Sequence, residues 1–274
     1  MRWLELAATP SLGPPRLSER HRAAGAQPDG LCGPYWLSIL LAATGAGDVA
    51  VEEAAVAAGT LVADVESVPP GEPSRPATDP RLRRTDDPAL AGTSVDGMLV
   101  AAASLSGGTR RFVPVTGAGG GPFEETSLER LLEVVSEHAA LDVAALLNLR
   151  TGALVGSRWP LTDALAYLAG EDPPLQPPDW DVGHFVQLAG AIRGSGRTLA
   201  VLRDTYPSLG IGGAHLQPLS HLVAALRRGD GYEGGCLLFV AADRAGQLET
   251  ALRDAGLDIG VWDNGTPNEQ GGRT

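Results

Sequence analysis

The sequence predicts an α+β protein on three observations. Apolar or amphipathic segments of helical length fill the first half, short strand-like apolar runs crowd the last third, and a glycine-bearing turn joins two of those runs as a hairpin. With 274 residues, 43% of them hydrophobic, the chain can bury a sizeable core. The expected architecture is a helical half packed on an antiparallel β-sheet.

Residues 1–26 read as an N-terminal arm with a short helix over 18–24, bounded by Gly13-Pro14-Pro15 and Gly25. Residues 34–44 are apolar on all faces, which marks a central buried helix between Gly33 and Gly45. An Ala-rich helix follows over 49–59, with Asp48 as the expected N-cap and Gly59 as the stop. Residues 64–93 carry six prolines and are too long for an ordinary turn, so they either cover a site or stay disordered. The next helix, capped by Thr93 or Ser94, runs to Leu105. A strand over 112–115, a glycine tip over 117–121 and an amphipathic helix ending near His138 come next; Leu128, Leu131, Leu132 and Val135 share one helix face. A buried strand over 143–149 follows. Residues 184–189 and 198–203 form the hairpin, and Asp204 ends its second strand. A helix over 219–227 precedes strand, helix and strand over 236–241, 247–255 and 258–262. The resulting division is an arm over 1–26, a main domain over 27–230 and a C-terminal extension with tail over 231–274.

Composition narrows the function classes. A formal charge of −12 supplies no basic field for phosphates, so nucleic acid is not an expected partner. Every basic side chain is Arg, which removes Lys as a nucleophile. No apolar run reaches membrane-span length, and Glu5 interrupts the apolar stretch at the N-terminus where a secretory signal would need continuity. Two cysteines, Cys32 and Cys236, are too few for a disulfide framework. A cytoplasmic protein with a free thiol is expected.

Cys32 stands directly before Gly33-Pro34, where proline suits the first turn of a helix. A thiol at a helix N-terminus beside an imidazolium is activated as thiolate. His184 opens an apolar strand after a turn, and Asp204 at the end of the partner strand can hold its ring and fix its tautomer. Gln27, five residues before Cys32, can aim an amide at the oxyanion of a tetrahedral intermediate. Taken singly, each has a bland alternative: a buried thiol, a core histidine, a turn aspartate and a loop glutamine. Their order and placement favour nucleophilic acyl transfer.

Gln27, Cys32-Gly33, Gly183-His184-Phe185-Val186 and Asp204, in this order, resemble the papain-like cysteine peptidase superfamily, closest to the bacteriocin-processing peptidases that cut double-glycine leaders. Gly92-Thr93-Ser94 opening a helix fits the same resemblance, which spans roughly residues 25–210. It implies a papain-like fold with Cys32 as nucleophile, His184 as base, Asp204 as orienting residue and Gln27 as oxyanion donor. The Gln27-to-Cys32 spacing is one residue shorter than is common there, and the segments 64–93 and beyond 230 have no counterpart.

The expected activity is therefore hydrolysis of a peptide or isopeptide bond, with leader-peptide processing as one form, on a peptide or protein substrate. Transpeptidation or cyclisation by the same acyl-enzyme, and an inactive peptide-binding module, are the alternatives. Trp36, Trp180 and Asp181 are the candidate substrate-binding residues, Asp181 for a basic group; core packing and turn capping compete with those roles. His215 and His221 lack the close ligand pairs of a zinc site and suit a solvated helix terminus instead. No cofactor is required.

Overall fold

The computed structural model describes residues 6–9, 11–64 and 67–267. Parts of the expected arm, of the 64–93 loop and of the tail lie outside the described residues.

The helices are α1 (Leu17–Ala24), α2 (Cys32–Thr44), α3 (Val51–Ala57), α4 (Val95–Leu105), α5 (Glu125–Glu137), α6 (Leu161–Leu168), α7 (Leu219–Arg227) and α8 (Ala245–Asp254). The strands are β1 (Ala7–Ala8), β2 (Leu61–Ala63), β3 (Arg83–Thr85), β4 (Arg110–Thr116), β5 (Ala144–Arg150), β6 (Gly183–Arg193), β7 (Thr198–Arg203), β8 (Ala214–Pro218), β9 (Gly235–Ala241) and β10 (Asp258–Ile259). The main sheet runs β10-β4-β9-β5-β6-β7-β8, with β1 on the far end of β6, and all its pairings are antiparallel. The fold is thus α+β.

Two corrections concern how the layers are built. Helices cover both faces of the sheet, not one. Leu128, Leu131, Leu222 and Leu248 of α5, α7 and α8 pack on Leu147, Val186, Leu238 and Val240. On the opposite face, Trp36, Leu40, Met98 and Ala102 of α2 and α4 meet Leu146, Phe185, Leu237 and Phe239. This two-sided burial is why β5 and β9 read as unbroken apolar runs. The boundary expected at residue 230 does not separate two units, since β9 lies between β4 and β5 in the middle of the sheet.

Local capping follows sequence chemistry in part. Ser94 Oγ accepts from the Gly97 N–H and starts α4. Gly45 ends α2 in the left-handed conformation, where its N–H returns to Leu41 and Ala42 carbonyls. Asp48 does not cap α3, whose N-cap is Ala50 with no side-chain bond. The Pro-rich connection is packed over its described part: Ala77 and Leu82 are buried with Leu31, Ala55 and Val62, and β3 pairs parallel to β2. Asp29 bonds Ser74 and both backbone groups of Arg75, which ties this loop to the segment entering α2.

Candidate active site

Cys32 is the first residue of α2, a helix buried along most of its length. The first N–H groups of a helix lack acceptors within it, and the positive end of the helix dipole lies there. A Cβ added at Gly33 would sit 3.0 Å from Met98 Sδ and 3.3 Å from the Phe185 ring. Gly33 therefore allows the helix start to press onto the start of β6, which carries His184. The Trp36 indole fixes the same junction by donating to the Phe185 carbonyl at 3.1 Å.

His184 Nε2 lies 3.1 Å from Asp204 Oδ1. The Cys32 sulfur is a further neighbour of the imidazole. Burial opposes a charge on His184, yet the Asp204 carboxylate and the Cys32 sulfur outweigh it and raise the imidazole to about 10. Burial likewise opposes charge on Asp204, but His184 and His215 hold its carboxyl well below the usual range. Both shifts favour the imidazolium–carboxylate form of the pair.

Gln27 is buried, and its backbone N–H donates to the Thr205 carbonyl at 3.2 Å. That bond ties the expected oxyanion segment to the residue after Asp204. The Gln27 side chain lies beside Tyr206, and among the described residues neither its Oε1 nor the Tyr206 hydroxyl has a hydrogen-bond partner. The four residues proposed from sequence thus converge: Cys32 lies against His184, Asp204 joins through His184, and Gln27 through the Thr205 carbonyl. The site is enclosed, with Cys32 9% and His184 2% exposed.

The candidate substrate-binding residues divide. The half-buried Trp180 sets its ring edge-on to His184 at 5.1 Å and to Tyr206 at 5.4 Å, and so walls the site. Trp36 is fully buried and stacks on His21, so it belongs to the core and not to a substrate surface. Asp181 is occupied by Arg150 at 2.6 Å and by the Gly152 N–H, which leaves it a structural ion pair.

Three residues at the site carried no functional expectation. The Tyr206 phenol is buried, and burial together with Cys32 and Asp29 pushes its titration well above the usual value, so it remains a hydrogen-bond donor. His21 lies 2.6 Å from the Asp204 carbonyl through Nε2. His215, expected at a solvated helix terminus, is instead buried in β8 with Nε2 3.8 Å from Asp204 Oδ2. The signal for Tyr206 was its place two residues after Asp204. His215 and Gln217 alternate inward along β8, but polar inward residues hide a strand from a hydrophobic pattern.

Cys236 is fully buried, and burial pushes its thiol up. Among the described residues no helix is long and apolar enough to cross a membrane. A family model, Family of unknown function (DUF6885), matches residues 12–263 and spans the whole site. No curated protein matches the chain.

Proposed function

Because the chain belongs to DUF6885, a family of unknown function, we propose its activity from the site itself: a papain-like cysteine hydrolase that opens a peptide or isopeptide bond through an acyl-enzyme on Cys32. The observation that carries this reading is the couple of His184 and Asp204 at 3.1 Å, with the imidazole against Cys32 at the N-terminus of α2. A cation and the positive end of a helix beside a sulfur are the surroundings of a nucleophilic cysteine.

The reaction follows from those positions. Cys32 Sγ attacks the carbonyl carbon, and the carbonyl oxygen gains the negative charge. The Cys32 N–H and the Gln27 amide are the donors available to that oxygen. Collapse breaks the C–N bond as His184 gives its proton to the departing amine, leaving a thioester on Cys32 and a neutral imidazole. Water then attacks the thioester while His184 takes its proton; the acid departs, and the sulfur and imidazolium are restored. Asp204 keeps the ring oriented throughout. Leader-peptide processing is one form of this chemistry. Both described cysteines are unpaired, which suits the reducing cytoplasm.

A second reading shares the intermediate. The enclosure of Cys32 and His184 limits water at the thioester, which favours interception by a bound amine and hence transpeptidation or cyclisation. Product mass separates the two, since hydrolysis adds one water and transfer does not. The test of the common step is trapping: incubation with candidate peptides should leave an acyl adduct on Cys32, seen by intact-mass spectrometry. Equal turnover of a cognate peptide by wild type and Cys32→Ala refutes the assignment.

A further inference from the structure

We propose that His215 is a positioning residue of this site, oriented by Gln217 so that its Nε2–H braces the second oxygen of Asp204; the inference rests on the acyl-transfer reading above. The argument starts at the backbone of Val155. Its N–H donates to Gln217 Oε1 at 2.9 Å, and its carbonyl accepts from Gln217 Nε2 at 2.8 Å. This two-point lock fixes which end of the Gln217 amide is which. Nε2 also lies 3.1 Å from His215 Nδ1, and an amide nitrogen can only donate. Nδ1 must therefore accept, and the ring proton sits on Nε2.

That nitrogen has no hydrogen-bond partner, is buried, and faces Asp204 Oδ2 at 3.8 Å. The distance is an electrostatic contact, not a formed hydrogen bond. Asp204 Oδ1 is already crowded by His184 Nε2 at 3.1 Å and the Tyr206 N–H at 3.2 Å. His215 thus guards the opposite oxygen against rotation of the carboxyl group. The other groups around Asp204 do not replace it. His21 of α1 engages its backbone carbonyl, and Tyr35 of α2 donates its hydroxyl to the Gly25 carbonyl. Arg203 turns to Gln187, Ser11 and Ser18. Tyr206 and Cys32 stand on the His184 side. A chain of oriented groups thus runs from Val155 through Gln217, His215, Asp204 and His184 to Cys32.

The experiment follows His184 by NMR in the full-length protein. In His215→Phe its titration should fall by about one pH unit as the carboxyl turns, and its downfield Nε2–H signal should broaden. His215→Gln, whose amide N–H can still reach Oδ2, should keep both wild-type properties. Gln217→Met releases the His215 tautomer and should lower the titration in the same direction, which keeps the test available if His215→Phe does not fold. An unchanged His184 titration in the folded His215→Phe or Gln217→Met protein overturns the proposal. An equal fall in His215→Gln also overturns it, since that marks lost packing. The acyl-transfer reading fails separately, if wild-type Cys32 alkylates no faster at neutral pH than free cysteine.

Discussion

Asp204→Asn isolates the charge of the orienting residue while keeping its shape. In the native protein His184 is raised from its ordinary 6.5 to about 10 although burial acts in the opposite direction. One pH unit corresponds to roughly 1.4 kcal/mol, so the surroundings favour the imidazolium by about 5 kcal/mol. With Asn at 204 the amide oxygen can still accept from His184 and from the Tyr206 N–H, but the negative charge is gone and the burial stays. His184 should then titrate well below its wild-type value, with the Cys32 sulfur left as the group that still raises it, so that at pH 8 it is less protonated in the variant than in the wild type. A pH series of the His184 Cε1–H resonance, assigned with His184→Gln, measures this directly. Stability should follow. The raised His184 stabilises the fold fully below its unfolded value of 6.5 and loses that contribution as pH climbs through about 10. The depressed Asp204 stabilises it above the unfolded value of 3.8 and loses that as pH falls through its native value. The two shifts describe one interaction, so the wild-type advantage in urea unfolding should peak between pH 3.8 and 6.5. Its size should be about 3 kcal/mol, the low end for breaking a buried pair, because the hydrogen bonds survive. A wild-type His184 that titrates near 6.5, or a variant whose His184 does not move, refutes the electrostatic account of the site.

Iodoacetamide should add one group to the native protein, on Cys32, and two after denaturation, because Cys236 is sealed in the core; intact mass gives the count. Gln27→Ala should lower turnover of a cleaved peptide by about 10²–10³ while Cys32 still alkylates at the wild-type rate, as expected for an oxyanion donor. Ser94→Ala should cost about 1 kcal/mol in urea unfolding through loss of the α4 cap, with no change at Cys32. Gly97→Ala should destabilise more strongly, because its Cβ would collide with the Ala58 carbonyl oxygen at the end of α3; a melting temperature equal to wild type contradicts that close approach.

The residues of the candidate site were legible as a group because each sits at a boundary the sequence marks. Cys32 precedes Gly33-Pro34 at a helix start, and His184 and Asp204 fall at opposite ends of strands paired in the expected hairpin. Helix α7 matches its expected span residue for residue, and its apolar face explains why. Elements whose buried faces are polar stayed hidden. In β8 the inward positions are His215 and Gln217, so no apolar alternation announces it. Helix α6 is short, exposes Leu161 and Leu165 and buries little more than Ala164, Tyr167 and Leu168. Trp36 and Asp181 illustrate a different limit, since burial and ion pairing depend on partners distant in sequence: Phe185 for one and Arg150 for the other.

The place of β9 has a consequence for biosynthesis. Its position between β4 and β5 is filled by the last long strand to leave the ribosome. Until translation has passed residue 241, β4 and β5 present two facing, unsatisfied edges that are templates for wrong pairing. Such late, long-range closure makes folding slow and calls for protection of the nascent chain. It also means that His184, on a strand paired with β5, gains a settled frame only after that closure, so a ribosome-bound chain carries Cys32 before the imidazole opposite it is held in place.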